Sequence, residues 1–317
     1  QADECKIERE GSCCGSSAVE DARAVADCLG IPYYVMNFRE EFEQKVIKRF
    51  TSEYLRARTP NPCIYCNQAI KWGAFYERCR KLGADYIATG HYARIKHLDS
   101  GRYTVRNSVT ARKDQTYVLY NLTQDELSHT LMPVGDHEKP EIRRMAEEAG
   151  LPVAAKRDSQ DICFIEDNDY AGFVKRREGT LGRAGNFVDE DGRVIGPHRG
   201  IAAYTIGQRK GLGIAAGKPV YVCGIDAETG DVHLGSDESL YGKELIAGGL
   251  SYMGEERFSE SEVYQAKIRY SQKAVPCRIK YISKDGIKVI FDTPVRAATP
   301  GQALVLYKED WIAGGGV

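Results

Sequence analysis

The stretch Thr59-Pro60-Asn61-Pro62-Cys63-Ile64-Tyr65-Cys66, followed one helix later by Asp85-Tyr86-Ile87-Ala88-Thr89-Gly90-His91, decides the fold class. The two prolines remove backbone donors and bias the residues before them to extended conformations, so any preceding helix must stop there. Cys63 then opens a helix that runs to Leu82 and ends at Gly83. The apolar run at 85–89 reads as a buried parallel strand, and Gly90 and His91 fall at its carboxyl edge, where open α/β sheets bind ligands.

Upstream, Val19, Ala22, Val25 and Leu29 share one face of a helix over 18–29 that Gly30 closes. A short strand at 33–37 and an amphipathic helix from about 40 to 57, carrying Phe42, Val46, Phe50 and Tyr54, complete the pattern. Alternating helices and buried strands make residues 1–165 an α/β layer. Downstream the chain is Gly-rich and irregular from 179 to 217. It then alternates with period two at 219–225, 262–270, 275–282, 287–291 and 303–307, the mark of a small closed β domain.

A length of 317 residues allows two or three domains. With 42% hydrophobic and 28% charged residues, and no apolar run near the ~18 that span a bilayer, the composition excludes a disordered or membrane-spanning chain. Lys+Arg 44 against Asp+Glu 45 excludes a wholesale polycation, so charge has to be read by segment. Three stretches are basic: 94–113 with six Lys/Arg and one acid, 193–218 with five and none, and 261–317 with nine and five. Together they are compatible with a polyanion that touches several parts of the protein. The ten cysteines are spread along the whole chain, which reads as a reducing cytoplasm and not a disulfide scaffold.

Cys63 and Cys66 sit at a helix start, where the macrodipole favours thiolate. A zinc half-site, a redox pair, iron–sulfur ligands and coincidence all stay open for a single CxxC. Cys163, in the apolar run Ile162-Cys163-Phe164-Ile165, reads alone as a core thiol. The glycine-rich run 211–218 is not a phosphate loop: Leu212 stands where its first glycine belongs, and Pro219 replaces the Ser or Thr. Arg209 and Lys210 beside its exposed backbone could still grip a nucleic-acid phosphate.

Six ordered motifs carry a resemblance across the chain. They are Thr59-Pro60-Asn61-Pro62 with Cys66-Asn67, Ala88-Thr89-Gly90-His91-Tyr92-Ala93-Arg94, Lys113-Asp114-Gln115-Thr116-Tyr117, Asp158-Ser159 with Ile162-Cys163-Phe164-Ile165, Thr205-Ile206-Gly207-Gln208-Arg209-Lys210-Gly211-Leu212-Gly213, and Thr299-Pro300-Gly301-Gln302. In these the sequence resembles the tRNA-specific 2-thiouridylases, the MnmA family. The resemblance implies an adenine-nucleotide alpha-hydrolase-like (Rossmann-like) α/β domain over 1–165, a small central domain over 166–240 and a C-terminal β-barrel over 241–317.

It also implies a cytoplasmic, ATP- and Mg2+-dependent enzyme that adenylates the C2 oxygen of a wobble uridine in tRNA and replaces it with sulfur. The sulfur would come from a persulfide donor, a cysteine desulfurase or sulfur-relay protein. By the same resemblance Cys163 carries the persulfide and Cys66 resolves it or acts as second nucleophile. Gly90 lies on ATP, and Asn61, Pro62, Cys63, His91, Lys113, Asp114, Gln115, Arg269, Tyr270 and Gln302 lie near tRNA.

Two departures stand out. The family's SGGVDSS pyrophosphate loop, expected before the first helix, is not in this sequence, and Ser12-Cys13-Cys14-Gly15-Ser16-Ser17 is no substitute; the sequence as written is expected to bind ATP poorly or not at all. Cys63 stands where many relatives carry an Asp with a general acid/base role, so by the resemblance this thiol either takes over that catalytic role or signals different sulfur chemistry. Three cysteines, Cys63, Cys66 and Cys163, could then hold a [4Fe-4S] cluster with one open iron, against the plainer reading of a persulfide enzyme with a spare thiol. Rival functions are a non-catalytic tRNA-binding protein and another ATP-dependent RNA-thiolating or amidating enzyme on the same core.

Overall fold

The structure is a computed structural model that describes residues 16–156, 162–165, 168–214 and 217–317. Residues 12–15 of the early cysteine-rich stretch, and Asp158 and Ser159, lie outside them. Among the described residues no helix is long and apolar enough to cross a membrane.

The first helix, Ser16–Leu29, forms as its periodicity requires. The strand expected at 33–37 does not: this segment pairs with no strand among the described residues, its Tyr33 hydroxyl instead donating to the Val19 carbonyl at 2.9 Å, and Tyr34 and Val35 are 79% and 63% exposed. A strand exists only through a partner, and propensity alone cannot supply one. The amphipathic helix follows at 39–55, with a wider i→i+5 turn at Glu43–Ile47. The CxxC helix covers 62–81 and contains a nine-residue π stretch, Asn67–Phe75. The expected parallel strand is present but short, β1 at Ile87–Ala88, because its described partner, β4 at Thr130–Leu131, is equally short.

Between β1 and β4 the chain makes a hairpin, β2 (Ala93–His97) and β3 (Tyr103–Asn107), that the sequence reading missed. Its alternation is masked because Thr104, fully buried, is held by a hydroxyl hydrogen bond and not by apolar packing. The central unit is a four-stranded sheet of β5 (Asn186–Val188), β6 (Val194–Pro197), β7 (Tyr221–Ile225) and β8 (Val232–Gly235), in the order β6-β5-β8-β7. Two of these strands lie in the stretch read as irregular.

The C-terminal strands are β9 (Tyr241–Gly248), β10 (Ser251–Tyr252), β11 (Tyr264–Lys267), β12 (Val275–Ser283), β13 (Gly286–Arg296), β14 (Leu304–Lys308) and β15 (Trp311–Gly316). They run β15-β14-β11-β12-β13-β9. Reciprocal backbone bonds between Gly248 and Val317, 3.0 and 2.9 Å, join the two ends and close the barrel.

The hairpin is grafted onto that barrel. Arg106 pairs with Trp311, the Thr104 hydroxyl donates to the Ile312 carbonyl at 2.6 Å, and Arg102 donates to the carbonyls of Tyr252 and Met253. One hydrophobic core accordingly joins Trp72, Val105, Tyr117 and Leu127 to Met253, Val305 and Ile312. A second joins Phe50 and Tyr54 of the 39–55 helix to Phe187, Val222 and Leu234 of the central sheet.

Thr104→Val keeps the shape of the side chain but removes one of two hydrogen bonds to the Ile312 carbonyl, which still accepts from the Gly254 N–H at 3.2 Å. An unfolding titration should show a loss of about 0.5–1.5 kcal/mol, the net contribution of one hydrogen bond; an unchanged midpoint would mean that the hairpin does not depend on this bond.

Candidate functional site

The site begins at Thr59. Its N–H donates to the Pro300 carbonyl (2.8 Å), its carbonyl accepts from Gln302 Nε2 (2.7 Å), and its hydroxyl meets that of Thr205 at 2.8 Å. The three motifs around Thr59, Thr205 and Pro300 therefore converge, although each comes from a different part of the chain. Gly301 makes the approach feasible: at φ +90° a side chain is strained, and a Cβ would stand 3.0 Å from the Thr59 nitrogen.

Two residues on, Asn61 caps the CxxC helix, its Oδ1 accepting from the Cys63 N–H at 3.0 Å, with Pro62 buried at the first helical position. Cys63 is exposed and Cys66 half-buried, packed against the first core. Phe164, next to half-buried Cys163, packs on that same core and meets Phe42 and Phe50 edge-on at 5.7 and 5.3 Å. Cys66 and the Cys163 segment thus border one packed region. The donor set does not fit a cluster: among the described residues no three His, Cys, Asp or Glu side chains gather as metal ligands. Cys63, exposed at the helix start, and Cys66, packed on the core, are held in different surroundings.

The Lys113-Asp114-Gln115 motif is locked by its own hydrogen bonds. Asp114 accepts from the Ser108 and Thr116 backbone N–H groups (2.9 and 3.1 Å) and from the Thr116 hydroxyl (2.5 Å). Gln115 exchanges bonds with Tyr92, Oε1 accepting at 2.8 Å and the backbone N–H donating at 2.9 Å. Lys113 is half-buried at the end of a short 3-10 turn, Ala111–Lys113. Tyr270, 43% exposed, packs edge-on to Tyr117 at 6.3 Å. Burial raises the Tyr270 pKa, and the nearby charges of Asp114 and Cys63 add to the rise. The barrel's Tyr270 therefore lies near the CxxC helix start and the Asp114 loop.

Two expected RNA contacts lie elsewhere than the surface. Arg269 is half-buried and turned inward: its guanidinium donates to the carbonyls of Ile206 (2.9 Å) and Ala297 (3.3 Å) and to the Thr299 hydroxyl. Desolvation lowers its pKa. It staples the central unit to the barrel, a role a charge count cannot reveal.

His91 is 7% exposed, with its Nδ1 2.9 Å from Thr89 Oγ1, its Nε2 3.4 Å from Lys71 Nζ and its ring on Trp72. Burial first, and the Lys71 charge second, push its pKa down to about 3, so the ring is neutral. Lys71, which no motif flagged, stands in the π stretch five residues after Cys66. Gly90, by contrast, is exposed, and a Cβ there would meet no protein atom within 4 Å. The space at the strand end is open to a ligand.

His91 sets a pH dependence. Its folded pKa, about 3, lies below the ordinary 6.5. Above pH 6.5 neither state is protonated there, while below it only the unfolded state takes a proton. Stability therefore falls as pH drops from 6.5 towards 3, by about 3 kcal/mol at pH 4. His91→Gln should flatten that part of a urea-unfolding pH profile, and an equal acid loss in both proteins would refute the assignment. Arg269→Ala should cost about 1–3 kcal/mol of stability, because it strands the Ile206 carbonyl, while that of Ala297 still accepts from the Thr299 hydroxyl at 2.8 Å. The salt slope of RNA binding by the folded variant should stay where it was; a slope lower by one unit would put Arg269 back on a phosphate.

Comparison with known proteins follows the same three-part division. The description "tRNA methyl transferase HUP domain" matches residues 1–167, "tRNA methyl transferase PRC-barrel domain" 171–236 and "Aminomethyltransferase beta-barrel domain" 242–317. The chain is 52% identical to the tRNA-specific 2-thiouridylase MnmA of Clostridioides difficile, over 98% of this chain and 86% of that protein. It is 53% identical to the MnmA of Lachnoclostridium phytofermentans, over 98% and 87%. Against the MnmA of Acetivibrio thermocellus it is 51% identical over 97% and 86%. With half its residues identical across nearly its whole length, the chain belongs to the tRNA-specific 2-thiouridylase family.

Proposed function

We infer that this protein is a tRNA-modifying sulfurtransferase that uses ATP to convert a wobble uridine to 2-thiouridine. The observation that carries the reading is the convergence on Thr59 of the Thr205 loop and the Pro300–Gln302 loop, from separate segments, two residues before the cap of the helix that bears Cys63 and Cys66. Relatives that match this chain over 97–98% of its length are named tRNA-specific 2-thiouridylases. A purely RNA-binding protein has no use for Cys66 and Cys163, since phosphate contacts need no thiols.

The chemistry runs in three steps. The uridine C2 oxygen attacks the α-phosphorus of ATP, and pyrophosphate leaves. Next the terminal sulfur of a Cys163 persulfide, loaded by a cysteine desulfurase or sulfur-relay protein, attacks C2. AMP departs with the old C2–O bond. Finally the Cys66 thiolate attacks the Cys163 sulfur. The S–S bond breaks, sulfur stays on C2, and a Cys66–Cys163 disulfide forms for a thiol reductant to reopen. Gly90, at the carboxyl edge of β1 with open space before it, suits the nucleotide. Cys63 takes no covalent part in this scheme, and Asn61 orders the helix start beneath the base.

The test compares variants of the full-length enzyme by mass spectrometry of digested tRNA. Cys66→Ser and Cys163→Ser should each yield no 2-thiouridine while still forming adenylate, and Cys63→Ala should keep at least a tenth of the rate. Gly90→Val should lose adenylation with its melting temperature unchanged, because the added side chain meets open space. Full thiolation by the Cys163→Ser enzyme would sink the persulfide scheme.

A further inference from the structure

The three basic stretches differ in what they do with their charge. In 94–113, Arg94 bonds the Asn107 carbonyl, Arg102 the Tyr252 and Met253 carbonyls, and Arg106 pairs with Asp310. In 261–317, Arg278, Lys288, Arg296 and Lys308 pair with Asp292, Glu244, Asp237 and Glu255, and Arg269 is turned inward. The stretch 193–218 is different. Arg193 meets Asp191 at 3.3 Å, but among the described residues Arg209, Lys210 and Lys218 form no ion pair.

Arg209 and Lys218 line a cavity of about 410 Å³ together with Gly211, Leu212, Gly213 and Gly217. Among the described residues no acidic side chain lines it. Gly211, Gly213 and Gly217 are left-handed, with φ of +75°, +73° and +68°, and no protein atom lies within 4 Å of where a Cβ would stand at Gly213 or Gly217. Bare backbone amides beside two cations form a surface suited to a phosphodiester.

The base of this loop is fixed. Gln208 Oε1 accepts from the Thr205 N–H (3.0 Å) and the Tyr170 hydroxyl (3.2 Å), and its Nε2 donates to the Lys210 carbonyl (3.0 Å). Thr205 in turn touches Thr59, two residues before the cap of the CxxC helix. The segment that leads into the cavity is thus tied to the one that leads into the CxxC helix.

We propose that the cavity between Arg209 and Lys218 on the central unit binds the RNA sugar–phosphate backbone, a site separate from the one that takes the base. The proposal rests on the tRNA reading above. Phosphate contacts carry no sequence information, so cognate and non-cognate tRNAs should use the site alike.

The experiment measures tRNA affinity of the full-length protein and of the Arg209→Gln/Lys218→Gln double variant between 50 and 200 mM salt. Two lost phosphate contacts lower the salt slope by about 1.8, so the affinity deficit of the variant should shrink about 12-fold across that range. Its melting temperature should match that of the wild type, since neither side chain has an ion pair to lose. The deficit should be equal for cognate and non-cognate tRNA. Unchanged affinity and slope in the double variant, with wild-type binding intact, would overturn the site alone. Failure of the wild type to bind tRNA at all would overturn the functional reading as well.

Discussion

Thr59 directs its amide, carbonyl and hydroxyl into three different partners, and the position of the reactive helix depends on it. Pro60 biases Thr59, the residue before it, to an extended conformation and so narrows the backbone that makes these bonds. From that fixed point the chain needs two residues to reach the cap and four to reach Cys63. The barrel loop over Pro300–Gln302 and the central loop at Thr205 are consequently held in register with the CxxC helix by direct bonds of 2.7–2.8 Å. Any shift of barrel or central sheet would have to break them.

The three units are therefore not beads on a string. The first core runs from Trp72 and Leu127 into Val305 and Ile312, and the second from Phe50 into Val222 and Leu234. Phe164 touches both. Half-buried Cys163 is its neighbour in the chain, so the segment that bears the thiol is anchored to both cores. Sharing cores in this way exchanges independent domain motion for a rigid placement of a few side chains, as a site for group transfer demands.

Much of this was legible in the sequence where local rules decide. The proline pair, the helix after it, the glycine stop and the parallel strand at 87–88 all follow from backbone chemistry and periodicity. The resemblance rested on motifs at Thr59, Gly90, Lys113, Thr205 and Thr299, and family membership followed the same lines. What could not be read was which motif touches which. That Gln302 bonds Thr59 is a tertiary fact across 243 residues. Arg269 and His91 look like surface residues by type; only the carbonyls around Arg269 hold it half-buried, and only the Trp72 ring helps make His91 an interior residue. The segment at 33–37 failed for the opposite reason, having a strand's composition and no described neighbour to pair with.

The hairpin grafted on the barrel has a consequence for biosynthesis. Thr104 and its acceptor Ile312 are 208 residues apart. A ribosome adding about 5–20 residues per second takes roughly 10–40 s to cover that distance. During this interval Val105 and the buried edge of β3 have no cover, and the first core lacks the wall that Met253, Val305 and Ile312 supply. The nascent chain thus leaves the ribosome with its CxxC helix made but unsupported, and this stage is where chaperone protection or aggregation would compete.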